Sequence, residues 1–408
     1  MNRRRRIIFA AAAVVFGSIV ALVFGDLIVY WWDARTAAGR PRAGPIPFTR
    51  LADPPINDMT PGGMRLRRML DCTIVDPASG KEVRLRTNAL GYRGGQVMPK
   101  APGEYRILVL GDSITLSLHT EEKDTYPAVL ERLLCDVAGT QQPTGSAGES
   151  SAPASAPAGP RGDSECLIRV INAGMRGAGL REELLILTET GLLTQPDLVI
   201  VGLYLNDAKR SRVYPLPEGL AAYSAIARKM SDIALANELS DKARARWEKY
   251  SGRPFPAMSF PLDAWRTDRE AFEAEKAKAA CDWGFAWFRA AWDEMRPDMQ
   301  LIKDLAARYG FELVVVLFPS ALQVEAEFLD DVPQAYFAEM VREMRIPHAD
   351  LLIPMRAAFQ ATRRSLAYDN CHLTPEGNRL AAELIRELVH PFVAAHLEHA
   401  RPADNANH

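Results

Sequence analysis

Three apolar runs constrain this chain more than any other feature. Tyr105–Leu110, Asp197–Tyr204 and Phe311–Phe318 span six to eight residues each, are rich in β-branched and aliphatic side chains, and show little polar alternation. Strands that read apolar on both faces belong to a sheet covered on both sides. A shorter run, Leu167–Ile171, has the same character. Helical spacing lies between them, over Thr125–Cys135, Arg181–Leu193 and Asp298–Tyr309. Strands alternating with helices argue an α/β chain with a central parallel sheet and helices on both faces, a three-layer α/β/α arrangement.

The ends of these strands carry the chemistry. Tyr105–Leu110 runs into Gly111-Asp112-Ser113-Ile114. A serine on a strand-to-helix turn exposes its hydroxyl and points backbone N–H groups at whatever sits above it, as nucleophilic acyl transfer requires. A Gly-Asp-Ser triplet alone is weak, because Asp-Ser is also a common turn or N-cap pair. Partners stand near the C-terminus, in Asp369-Asn370-Cys371-His372. Asp and His three apart lie on one side of a turn, so the carboxylate can hold one imidazole nitrogen while the other faces the serine. Thr374 is a good N-cap and Pro375 a good first residue for the amphipathic stretch Asn378–Leu388. The six other histidines (His119, His348, His390, His396, His399 and His408) lack such a setting and are read as packing or surface residues. Two further strand ends suit oxyanion duty: Asn172-Ala173-Gly174, and Leu205-Asn206-Asp207.

With these residues in place the chain resembles the SGNH hydrolases, also called the GDSL esterase/lipase family. Its four blocks fall in family order as Gly111-Asp112-Ser113, Gly174, Asn206-Asp207 and Asp369-x-x-His372. The resemblance covers Tyr105 to Leu388. It implies a flavodoxin-like sheet, a catalytic triad of Ser113, His372 and Asp369, and an oxyanion hole of Ser113 N–H, Gly174 N–H and the Asn206 amide. Asp112 and Tyr204 are placed as substrate-binding residues. Tyr204 stands where the family's third block has glycine, so it narrows the pocket or stacks on a substrate. The run Val83–Gly94, with Asn88-Ala-Leu-Gly-Tyr-Arg-Gly94, is similar to one preceding the serine strand in envelope-associated members. It is read as a structural strap.

With 49 basic and 51 acidic residues, net charge is −2, and no nucleic-acid footprint is expected. The basic cluster Arg3–Arg6 is local and precedes Ile7–Gly25, which holds no charged residue. Nineteen helical residues span about 28 Å, close to a bilayer's hydrocarbon core. Asp26, Asp33 and the aromatic group Tyr30-Trp31-Trp32 follow. The expectation is an uncleaved single-pass anchor in the inner membrane, with the positive end inside and the catalytic domain in the periplasm. A cleaved or twin-arginine signal is the alternative.

An exported chain with five cysteines invites a disulfide reading. Cys135 and Cys166 flank a Gly/Ser/Ala/Pro-rich stretch that cannot bury enough apolar surface to fold, and a bridge between them would tie its base. Cys281 and Cys371 could pair, leaving Cys72. No CxxC, HExxH or comparable cluster appears, so neither metal nor cofactor is expected.

The chain is divided into 1–35 (cytoplasmic tip and anchor), 36–102 (linker and small β-leaning segment), 103–400 (hydrolase domain) and 401–408 (tail). Within the domain, 138–164 is a disordered loop and 208–297 a helical insertion. That insertion carries Trp247, Trp265, Trp283, Trp287 and Trp292, read as a core stripe or as a cap over the site. The functional expectation is a serine esterase acting on O-acyl groups of cell-envelope glycans or another small ester. The rivals are an O-acyltransferase, a lipase or thioesterase, and a non-catalytic glycan-binding or assembly protein on the same fold.

Overall fold

The structure, a computed structural model, describes residues 21, 23–28, 56–60, 63–75, 82–140, 166–207, 225–256 and 259–400. Most of the expected membrane anchor, the linker 36–52, nearly all of the loop 138–164 and the tail 401–408 lie outside the described residues. Among the described residues, no helix is long and apolar enough to cross a membrane.

Two antiparallel hairpins come first, β1 (Asn57–Thr60) with β2 (Gly63–Leu66) and β3 (Asp71–Val75) with β4 (Glu82–Arg86). In β4 the alternation buries Val83 and Leu85 and leaves Glu82, Arg84 and Arg86 exposed, the period-2 pattern of a one-sided strand. The chain then enters β5 (Tyr105–Gly111), the short helix α1 (Ser113–Leu116), α2 (Tyr126–Thr140), β6 (Ile168–Asn172), α3 (Leu180–Glu189) and β7 (Leu198–Tyr204). After the insertion come β8 (Glu312–Phe318), α7 (Ala321–Glu325), α8 (Val332–Glu343), β9 (His348–Asp350), α9 (Leu352–Thr362) and α10 (Pro375–Ala400).

Strands β6-β5-β7-β8-β9 form one five-stranded parallel sheet in that spatial order. Every residue of β5 and β7 is buried, as near-continuous apolar sequence requires of strands covered on both faces. Two helix groups cover the sheet, α2 with α10, and α3 with α6 (Arg289–Tyr309) and α8. The strand order reverses direction between β5 and β7, and in an open α/β sheet the crevice at such a switch point, outside the carboxyl ends, is where ligands bind. Gly111 and Gly202 are register partners there. The sequence anticipates four of the five strands. It misses β9, a three-residue, half-buried His-Ala-Asp segment with no apolar signature.

The insertion is helical: α4 (Ala225–Ser251), α5 (Arg269–Lys278), a 3₁₀ turn Trp283–Trp287 and α6 (Arg289–Tyr309). The expected boundary at Pro297 falls inside α6, which runs through it unbroken. Trp247, Trp283, Trp287 and Trp292 are buried, the last three in the main core. Trp265 is partly buried against the same core.

Cys135 and Cys166 form a disulfide. The other pairing is corrected: Cys281 and Cys371 are both free thiols, as is Cys72.

Candidate active site

Gly111 is where β5 must turn beneath other atoms. A Cβ there would stand 2.0 Å from Thr115 Oγ1, so only glycine lets the chain pass. Asp112 follows as the N-cap of α1, its Oδ1 accepting the Ile114 N–H at 2.8 Å. Ser113 is thus the first residue of a helix whose opening N–H groups have no intrahelical acceptor, the environment in which an oxyanion is held.

Ser113 Oγ lies 2.9 Å from His372 Nε2. On the other side of the ring, His372 Nδ1 lies 2.7 Å from Asp369 Oδ2. The turn carrying both is locked by its own backbone, since the N–H groups of Cys371 and His372 each donate to Asp369 Oδ1 at 2.9 Å. Burial works to raise the Asp369 pKa. The His372 hydrogen bond, the His372 charge and the two backbone N–H donors outweigh it and hold the carboxyl well below the usual carboxylate range. Beyond His372, Thr374 Oγ1 accepts the Gly377 N–H at 3.1 Å as α10 begins at Pro375.

The other expected site residues are placed as follows. Asn206 sits at the centre of a tight turn after β7. Asp207 Oδ2 accepts the Tyr204 N–H at 2.6 Å, and Asp207 N–H returns to the Tyr204 carbonyl at 3.0 Å. Asn206 is only 8 % exposed and its Oδ1 has no hydrogen-bond partner. Gly174 packs against α1, where a Cβ would stand 2.3 Å from Leu116 N. Its N–H donates to Asn172 Oδ1 at 3.0 Å, so that donor is engaged within the fold, contrary to the expected free oxyanion donor.

Two substrate-binding expectations are corrected. Asp112 is fully buried and caps α1. Tyr204 is fully buried, and its O–H donates to the Asn370 carbonyl at 3.4 Å, which ties the end of β7 to the Asp369–His372 turn. Burial first, then the charges of Cys371, Asp282, Asp112 and Asp369, push the phenol pKa well up, so it remains a donor. Neither side chain has a face to offer a ligand.

Three more residues join the site: His119 and Asn378, which the sequence reading does not assign to it, and Arg93, whose strap it does read as structural. His119 was read as bland, yet its ring centroid lies 4.3 Å from that of His372, at 36°. Arg93, on the strap after β4, is buried and donates to the carbonyls of Leu116 (2.8 Å), Ser117 and Thr120 (2.7 Å). Burial lowers its pKa to about 10, which keeps the guanidinium charged at neutral pH. Asn378 bridges α10 to the loop after Ser113: its Oδ1 accepts the Tyr126 N–H at 2.9 Å and its Nδ2 donates to Leu373 O and Thr374 O. A polar residue on the same helical face as Ala381, Ala382 and Ile385 was a signal available in the sequence.

Cys371 Sγ stands 3.6 Å from His372 Nδ1. Burial, reinforced by the charges of Asp369, Asp112 and Asp282, pushes the thiol pKa well up, so it is protonated and a poor nucleophile. The influence of Asp282 on both Cys371 and Tyr204 brings one charge of the insertion to the site.

No protein-family model matches the chain, and no curated protein does. Among solved structures, the acetylxylan esterase Axe2 from Geobacillus stearothermophilus aligns at TM-score 0.39 and 14 % identity, over 72 % of this chain and 96 % of that chain. The acetyl xylan esterase AlAXEase aligns at TM-score 0.36 and 13 % identity, over 70 % and 99 %. LAE5, an alpha/beta hydrolase enzyme from the metagenome of Lake Arreo, Spain, aligns at TM-score 0.36 and 12 % identity, over 71 % and 98 %.

Proposed function

We propose that this chain is an extracytoplasmic serine esterase of the SGNH type, anchored in the inner membrane through Ile7–Gly25, that removes O-acyl groups from cell-envelope glycans. The observation that carries the reading is the continuous relay from Ser113 Oγ to His372 Nε2 (2.9 Å) and from His372 Nδ1 to Asp369 Oδ2 (2.7 Å). Its position at the switch point of the parallel sheet supports it independently.

In this mechanism Ser113 attacks the acyl carbonyl while His372 Nε2 takes its proton. Asp369 keeps the Nδ1–H tautomer in place and stabilises the imidazolium. The Ser113 N–H and the Asn206 side chain hold the tetrahedral oxyanion; such a donor is worth about 10²–10³ in rate. His372 then gives the proton to the leaving sugar oxygen. Water, activated by the same imidazole, releases the acyl group and restores Ser113. A sugar hydroxyl in place of that water makes the same site a transferase.

The test is fluorophosphonate labelling, read by intact mass and peptide mapping. One label per chain at Ser113, absent in His372→Ala, is the expected result. No label on folded, disulfide-intact protein favours the glycan-binding alternative.

A further inference from the structure

No metal-ligand motif is legible in the sequence, because the residues concerned come from opposite ends of the domain. The fold brings His119, Asp369 and His372 together so that one ligand atom from each lies within 4.8 Å of the others. We propose that these three side chains form a binding site for a divalent ion of the zinc type, and that the loaded state is inactive. The metal half of this stands on the geometry alone; the inhibitory half rests on the esterase reading.

Both sides of the cluster are held in place. His119 lies between Ser117 and Thr120, whose carbonyls are gripped by the buried Arg93. Asp369 and His372 share a turn locked by two backbone hydrogen bonds. The two rings lie 4.3 Å apart between centroids, with their planes tilted by 36°. Tetrahedral zinc with bonds of about 2.0–2.2 Å keeps its ligand atoms about 3.3–3.5 Å apart, so from a spread within 4.8 Å the three atoms have little more than an ångström to close on loading. Two imidazoles and one carboxylate suit zinc and its neighbours, not calcium or magnesium, which take oxygen ligands. Asp369 is exposed and both histidines are half-buried, which leaves a path for the ion.

The chemical consequence follows from competition for one lone pair. An imidazole nitrogen that coordinates a metal cannot accept the Ser113 proton, and a carboxylate drawn to the metal no longer fixes the His372 tautomer. No bond is made or broken in the protein, so chelation restores the relay.

The experiment uses the purified, untagged full-length chain. Zn²⁺ binding is followed by calorimetry and Co²⁺ binding by visible absorption, with 4-nitrophenyl acetate hydrolysis assayed in parallel. One ion per chain is expected, with hydrolysis suppressed at saturation and recovered with EDTA. In His119→Phe and His119→Gln, each checked for folding by circular dichroism, binding should weaken by more than about tenfold, since a direct ligand is worth at least as much as an outer-shell partner. Cys371→Ala should bind as the parent does. Absent binding, binding unchanged in both His119 variants, loss in Cys371→Ala, or a zinc-loaded enzyme that still turns over would each overturn the proposal. A protein that binds Co²⁺ through His119 but neither hydrolyses ester nor takes a fluorophosphonate keeps the metal site and loses the esterase reading.

Discussion

The guanidinium of Arg93 donates a 2.8 Å hydrogen bond to the carbonyl of Leu116, the last residue of the helix that Ser113 begins. The same side chain takes the carbonyls of Ser117 and Thr120, so a single buried cation fixes the segment behind the candidate nucleophile and beside His119. The strap from β4 is therefore a brace for the site.

Removing that brace is expected to cost both stability and turnover. Arg93→Ala takes the donor from the Leu116 and Thr120 carbonyls, at about 1–3 kcal/mol for each group left unsatisfied, while the Ser117 carbonyl keeps the Thr120 N–H and hydroxyl at 3.3 Å. Urea unfolding should show a loss of one to two such increments, with kcat falling further than the remaining folded fraction explains. Arg93→Lys, with one ammonium in place of a planar fork, should recover only part of either. An Arg93→Ala protein with unchanged midpoint and rate would remove Arg93 from the site's support.

Asp369 separates tautomer control from simple charge. Asp369→Asn keeps the shape and the acceptor but no longer demands a proton on His372 Nδ1. A loss of up to about 10⁴ in kcat is expected, with KM for a small ester nearly unchanged. The low pKa of Asp369 also has a stability consequence. The folded value lies below the unfolded one, so the contribution is present above about pH 4 and is lost as pH falls through the folded value. With the side chain 46 % exposed, salt should screen much of that contribution. Acid unfolding of wild type and Asp369→Asn at low and high ionic strength measures both.

How much of this was readable beforehand follows the kind of interaction involved. β5, β7 and β8 announce themselves because burial on both faces forces apolar side chains at every position. β9 does not, being short and only half-buried. Ser113, Asp369 and His372 stand out because their turns are punctuated by Gly111 and by the Thr374-Pro375 helix start. His119 acts through a ring face, which leaves no spacing in the sequence; the strap carrying Arg93 is legible in Val83–Gly94, but the main-chain carbonyls it grips are not. Asp112 and Tyr204 were misassigned for a related reason: an aspartate capping a helix and one binding a ligand look alike in sequence, and only their burial distinguishes them.

The Cys135–Cys166 bridge closes a loop of sequence separation 31. On the loop-closure argument its reduction should lower stability by about 3–4 kcal/mol. Because Cys135 lies more than two turns along α2 from Tyr126, the residue that bonds Thr115 beside Ser113, fluorophosphonate reactivity of the reduced but still folded protein should persist. Reduction that leaves the urea midpoint unmoved would mean that the unfolded ensemble is already constrained across this loop.

Glu183, on α3, tests the electrostatics beneath the serine turn. It is fully buried, and neither carboxylate oxygen has a hydrogen bond. Burial above all, then the negative charges of Asp112 and Glu182, raise its pKa well above the ordinary value. An unfolded glutamate titrates near about 4.3, so above that pH the native state binds more protons than the unfolded state. Stability must then fall as pH rises, until the folded pKa is passed. Glu183→Gln has the same shape and no proton to lose. Its stability relative to wild type should be flat below about pH 4 and climb as pH rises from there towards the folded pKa of Glu183. The slope is the readout, because any fixed cost of burying the amide shifts the whole curve without tilting it. Parallel curves for the two proteins would mean that Glu183 is ionised in the fold and has a counter-charge. A tilt of the expected sign would establish a neutral carboxyl packed under Asp112, which spares the nucleophile's turn a second buried negative charge.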